Sequence, residues 1–100
     1  MGRTAQRVYT DQAGIRQLEL LVAELPAGAH VVLVMKDGST CDGVVSARPS
    51  VRLFRDRDGN EGSNARVQLR RPDVAGWSRR FWVDQIARVE HVDSTNASGD

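Results

Sequence analysis

Apolar positions along the chain follow two periods, and the change falls at Ala29. Between residues 10 and 25, Ile15, Leu18, Leu21, Val22 and Leu25 recur at the three- and four-residue spacing of one buried helix face. Thr10 or Asp11 can cap this helix, because a side-chain oxygen there accepts from the free amides of the first turn. Pro26 ends it, having no amide and a ring that clashes with the preceding turn. Residues 30–36, HVVLVMK, are almost continuously apolar and β-branched, which predicts a strand buried on both faces. Asp37-Gly38 predicts a hairpin turn, because both residues tolerate positive φ. Residues 40–47 return from it, with Gly43 marking a bend, a bulge or a close backbone approach. Pro49 lacks a ladder donor, so it marks an edge or kink, after which Val51, Leu53 and Phe54 carry the strand onward. A loop at 58–62, alternation over 65–70, a break at 72–76, a strand over 80–83, a corner at Asp84-Gln85 and a last strand over 86–92 complete the reading. Residues 1–9 show no period and read as a loose arm. Residues 93–100 read as a frayed polar tail.

The pattern therefore predicts a single domain over 1–92, with one helix at about 10–25 and about five antiparallel strands at about 30–92. A small antiparallel sheet has to hide its edges, and a strongly bent five-stranded sheet that nearly closes into a barrel does so economically. The bend is expected near Gly43 and Pro49, with the helix across one open end.

Composition narrows the function classes. The chain has 100 residues, 40% hydrophobic and 27% charged, too apolar for a disordered segment. No apolar run approaches the roughly 18 residues of a membrane span, and the N-terminal residues contain no secretory h-region. A lone cysteine, Cys41, makes neither an internal disulfide nor a cysteine-based zinc site, so a reducing, cytoplasmic setting is expected. The net charge of +1 hides an asymmetry: residues 48–92 hold ten arginines against six acidic residues, while residues 1–47 and 93–100 are net negative. Arginine forks match phosphates and their planes stack on bases. A GC-rich genome also favours arginine over lysine, here thirteen to one.

Residues 31–45, VVLVMKDGSTCDGVV, resemble the first motif of the Sm-like small β-barrels: an apolar strand, a turn with glycine, and a second glycine five residues on. Residues 82–89, WVDQIARV, are similar to the second motif, two short strands around a tight corner. Over its length the chain is similar to a small bacterial family of this fold with no established activity. The resemblance implies an SH3-like barrel of five strands behind a helix. It also implies a non-catalytic binding module that associates with RNA in bacterial RNA metabolism, or, alternatively, an adaptor for a transcription or RNA-processing factor. The RNA-binding signatures of the superfamily are replaced here by Ala47-Arg48-Pro49-Ser50-Val51 and Asp84-Gln85, so the usual uridine pocket is not carried over. Residues 50–63 read as an insertion that lengthens a hairpin.

Candidate binding residues come in two groups. Arg79, Arg80 and Trp82 alternate charge with an aromatic ring, and on one strand Arg80 and Trp82 share a face, an arrangement that holds single-stranded nucleic acid by phosphate pairing and stacking. The competing reading packs Trp82 or Phe81 into the core and leaves the arginines solvated. Arg48, Arg52, Arg55 and Arg57 flank the 58–62 loop, with Arg55 and Arg57 on one strand face as a basic stripe. Cross-strand ion pairs are the plainer reading of that group. Residues 56–61, DRDGNE, place the glycine too early for a calcium loop and read as a turn. Cys41 lies mid-strand with no nucleophile elbow, so it reads as a small buried residue, and neither a catalytic group nor a metal or cofactor site is expected.

Overall fold

Asp11 holds an extended backbone while its carboxylate accepts from the Gly14 amide at 3.1 Å, so it is the cap that starts helix α1, Gln12–Ala23. The computed structural model describes residues 4–92. The tail expected at 93–100 and the first three residues of the arm lie outside the described residues. Leu18, Leu21 and Val22 of α1 are buried, as is Leu25 just beyond it, while Ile15 is only half-buried.

Seven strands follow instead of the five expected: β1 (His30–Met35), β2 (Thr40–Val45), β3 (Arg52–Arg55), β4 (Glu61–Asn64), β5 (Arg66–Arg70), β6 (Ser78–Trp82) and β7 (Ile86–His91). Five form one antiparallel sheet in the order β6-β5-β2-β1-β7, and β3 and β4 form a separate two-stranded sheet. The strand expected to run from residue 40 on through 54 is split, and the end of the segment expected as loop and insertion forms β4. The chain leaves β2 at Val45 and crosses residues 46–51, with Pro49 buried, before β3; Ala65 interrupts β4 and β5. Proline cannot extend a ladder, so the break falls where Pro49 sits.

The five-stranded sheet is curved but not closed into a barrel, which corrects the sequence expectation. Its edge strands β6 and β7 are joined by a 3-10 turn of three residues, Val83–Gln85. A chain that short spans about 14 Å at most. Five flat strands would separate their edges by roughly 19 Å. The sheet must therefore curl to bring the edges to one corner. Among the described residues β6 and β7 form no ladder with each other. The core is made by Leu18, Val22 and Leu25 against Val31, Leu33, Val45, Val67, Leu69, Val83 and Ile86, with Cys41 buried among them. In β1 only Val31 and Leu33 are fully buried; Val32 and Val34 are half-buried, so the strand has one core face and not two.

Gly43 sits within a regular register, opposite Val31, and not at a bend. A Cβ there would lie 3.0 Å from the Leu69 Cβ and 3.1 Å from the Arg70 carbonyl oxygen, so close backbone approach is what requires glycine. In the β1–β2 turn only Gly38 takes positive φ; the Asp37 carboxylate instead accepts from the Ser39 amide and hydroxyl.

The arm is not loose over residues 4–9. The Ala5 amide donates to the Arg55 carbonyl at 2.9 Å, and Tyr9 and Ser63 exchange two backbone hydrogen bonds of 2.9 and 2.7 Å. The arm thus takes one bridge from each strand of the β3–β4 sheet. Buried Asn64 fastens it, donating to the Arg7 carbonyl at 2.9 Å and accepting from the Ala65 amide at 2.8 Å. Isolated bridges of this kind leave no hydrophobic period for a sequence reading to detect.

Candidate nucleic-acid interface

The residues between β2 and β3 turn away from the large sheet, and the small sheet folds back beside β5. A cavity of about 240 Å³ opens at this junction. Ser46, Arg48 and Ser50 come from the connecting segment, Arg52 and Phe54 from β3, and Arg66 and Gln68 from β5. Strand alternation aims them: Val67 and Leu69 enter the core, so Arg66 and Gln68 take the other face of β5.

The ladder between β5 and β6 sets Arg66 opposite Trp82 and Gln68 opposite Arg80. Trp82 and Phe54 meet edge to face, with ring centroids 5.0 Å apart and planes at 84°. The Arg66 guanidinium stands 5.1 Å from the Trp82 centroid and 5.8 Å from that of Phe54. Arg52 Nε donates to the Ser50 hydroxyl at 3.1 Å. Among the described residues no carboxylate lines the cavity, and Arg48, Arg52 and Arg66 enter no ion pair. The Ser46 Oγ is buried without a hydrogen-bond partner, alone in this among buried side-chain nitrogen and oxygen atoms of the described residues. Three permanent positive charges with no lining carboxylate favour an anion.

The residues singled out in the sequence divide. Arg48 and Arg52 line the cavity. Arg80 and Trp82 stand across the ladder from two of its lining residues, sharing a face as expected. Arg79 takes the opposite face, its guanidinium 5.4 Å from the Phe81 ring. Arg55 lies further along β3, opposite Glu61, and donates to the Gly59 carbonyl. Arg57 is not on a strand, so the Arg55–Arg57 stripe does not form. The Asp56 carboxylate accepts from the Asp58 and Asn60 amides and the Asn60 side chain, which closes the turn immediately after Arg55. Trp77 lies under the Arg71 guanidinium, 4.1 Å from its centroid, and Arg71 is paired to Asp42 at 2.9 Å, so that cluster is separate and neutralised. Arg66, Phe54, Ser46 and Gln68 were not among the predicted site residues. The parity of Arg66 with Gln68 was visible in the sequence, but their partners across the sheets were not.

A second polar tie sits at the corner between β6 and β7. Buried Asp84 accepts from the Tyr9 hydroxyl and from the Gln85 side chain, each at 3.2 Å. Burial, then the charge of Asp84, pushes the Tyr9 hydroxyl above the usual tyrosine range. This contact docks the arm to the corner.

A helix followed by a curved antiparallel sheet, with a 3-10 turn linking its outer strands, defines an Sm-like protein. The crystal structure of XC5848 from Xanthomonas campestris, described as adopting a novel variant of the Sm-like motif, superposes with a TM-score of 0.80 at 34% identity, covering 90% of this chain and 97% of that one. The chain belongs to the family described as a domain of unknown function, DUF3247, whose model matches residues 2–92. No curated protein matches it. Among the described residues no helix is long and apolar enough to cross a membrane.

Proposed function

We propose that this protein is a non-catalytic Sm-like module that binds single-stranded RNA at the junction of its two sheets, in the cytoplasm. The observation that carries the reading is the convergence of Arg48, Arg52 and Arg66, free of carboxylates, beside the Phe54–Trp82 pair. Guanidinium groups pair with phosphates, and flat apolar surfaces accept unstacked bases.

Fluorescence anisotropy with short single-stranded RNAs over a salt series tests it. Each phosphate neutralised contributes about −0.7 to the slope of log K against log salt. The double variant R48A/R52A is expected to make that slope shallower by roughly 1.4 for two contacts. Absence of binding, or binding indifferent to salt, overturns the proposal.

A second reading has its own observation. Both outer strands of the large sheet, β6 and β7, are open edges, and an extended peptide can add to such an edge. A stoichiometric protein partner that survives nuclease treatment in a pull-down would favour this adaptor role over RNA.

A further inference from the structure

Resting on the RNA-binding reading, we infer that the junction cavity is a one-nucleotide pocket: a phosphate is held by Arg48 and Arg52, and the attached base lies against Phe54 and Arg66. The argument begins with size. About 240 Å³ is smaller than the roughly 300–1,000 Å³ of pockets for drug-sized ligands, so the cavity takes one nucleotide and not a run of them. It continues with the division of chemistry along the walls. The connecting segment and the start of β3 supply charge and a hydroxyl: Arg48, Arg52 and Ser50. The Ser50 hydroxyl already fixes the Arg52 guanidinium at Nε, leaving its terminal nitrogens for an anion.

The opposite wall supplies flat surface. Phe54 packs edge to face against Trp82, and the Arg66 guanidinium is held against both rings, so neither plane has to be ordered when a base arrives. Gln68, beside Arg66 on the same face of β5, carries both an amide donor and a carbonyl acceptor for a base edge. A nucleotide of an RNA strand and a free mononucleotide share this chemistry.

Nitrogen-15 NMR titrations of the full chain with adenosine 5′-monophosphate, adenosine, inorganic phosphate and a short oligoadenylate separate the possibilities. The mononucleotide is expected to shift the amides of Ser46, Arg48, Arg52, Phe54, Arg66 and Gln68. Adenosine and phosphate alone are expected to bind roughly tenfold or more weakly, the scale of one stacked base or one charge-assisted contact. R48A, at an exposed position, and R66K, which keeps the charge but loses the plane, should each weaken the mononucleotide several-fold while the rest of the spectrum is retained. Oligoadenylate binding together with the mononucleotide identifies the pocket as the anchor of an RNA strand. Mononucleotide binding without oligoadenylate binding supports the pocket and overturns the RNA reading. Salt-dependent oligoadenylate binding that leaves these amides unmoved by the mononucleotide overturns the pocket and spares the RNA reading. Silence in all four titrations overturns both.

Discussion

Arg66 and Trp82 are direct partners across the β5–β6 ladder, and the guanidinium of the first stands 5.1 Å from the ring centroid of the second. Phe54 reaches the same ring from the other sheet, so three side chains from three strands join the two sheets at one point. Trp82 is half-buried and its removal takes away both contacts. Trp82→Ala is expected to cost roughly 2 kcal/mol, less than the 3–5 of a fully buried aromatic. Urea denaturation followed by circular dichroism measures it; an unchanged midpoint would show that the joint does not hold the sheets together.

Ser46 is a buried polar side chain left unused. Its Oγ is buried with no partner, and an unsatisfied hydroxyl of this kind costs about 1–3 kcal/mol. Ser46→Ala is therefore expected to leave the melting temperature equal or higher. A variant that melts lower by differential scanning calorimetry would contradict this account.

Asn64 makes the opposite case, a buried polar side chain that is fully used. Asn64→Ala strands the Ala65 amide and releases the Arg7 carbonyl. A loss of about 1–3 kcal/mol is expected, together with faster amide exchange at Tyr9 and Ser63, whose mutual hydrogen bonds hold the arm. Hydrogen exchange that is unaltered at those two residues would show that the arm is held without Asn64.

Two glycines are set by neighbours and not by their own φ. A Cβ on Gly43 meets the Arg70 carbonyl oxygen at 3.1 Å, and one on Gly62 meets the Tyr9 carbonyl oxygen at 3.0 Å. The Arg70 carbonyl belongs to a strand in a ladder and the Tyr9 carbonyl accepts from the Ser63 amide, so Gly43→Ala and Gly62→Ala should each cost about 1–3 kcal/mol. Gly62→Ala should loosen only the arm and the small sheet, whereas Gly43→Ala should lower the global unfolding midpoint. Equal effects from both, read by hydrogen exchange, would argue against this division.

Acid should weaken the two tight turns. Hydrogen bonds from the Ser39 hydroxyl and amide hold the Asp37 carboxyl below its ordinary range, and the Asn60 amide leads in doing the same for Asp56. A carboxyl depressed on folding stabilises above its unfolded pKa, about 3.9, and that contribution disappears as pH falls through the lower folded value. Stability is expected to fall below about pH 4, by less in D37A and D56A than in the parent. An identical acid limb in all three proteins would rule out these turns as contributors.

The helix was legible in the sequence because its determinants act over a few residues: the spacing of Leu18, Leu21, Val22 and Leu25, the carboxylate of Asp11, and Pro26. Most strand positions were legible for the same reason, as was the core burial of Cys41. Arg48 and Arg52 stood out through the local density of arginine. The interruptions at 46–51 and at Ala65, the open edges, the docking of residues 4–9 and the recruitment of Arg66 and Phe54 were decided by the tertiary structure alone. Each depends on which residue faces which across a ladder or between sheets. Alternation along one strand says that Arg66 leaves the core; only the register brings it to Trp82, and only the fold-back of β3 brings Phe54 to both. Propensity, capping and periodicity are properties of neighbours in the chain, whereas a pocket made of β3, β5 and their connecting segment exists only once distant segments have paired.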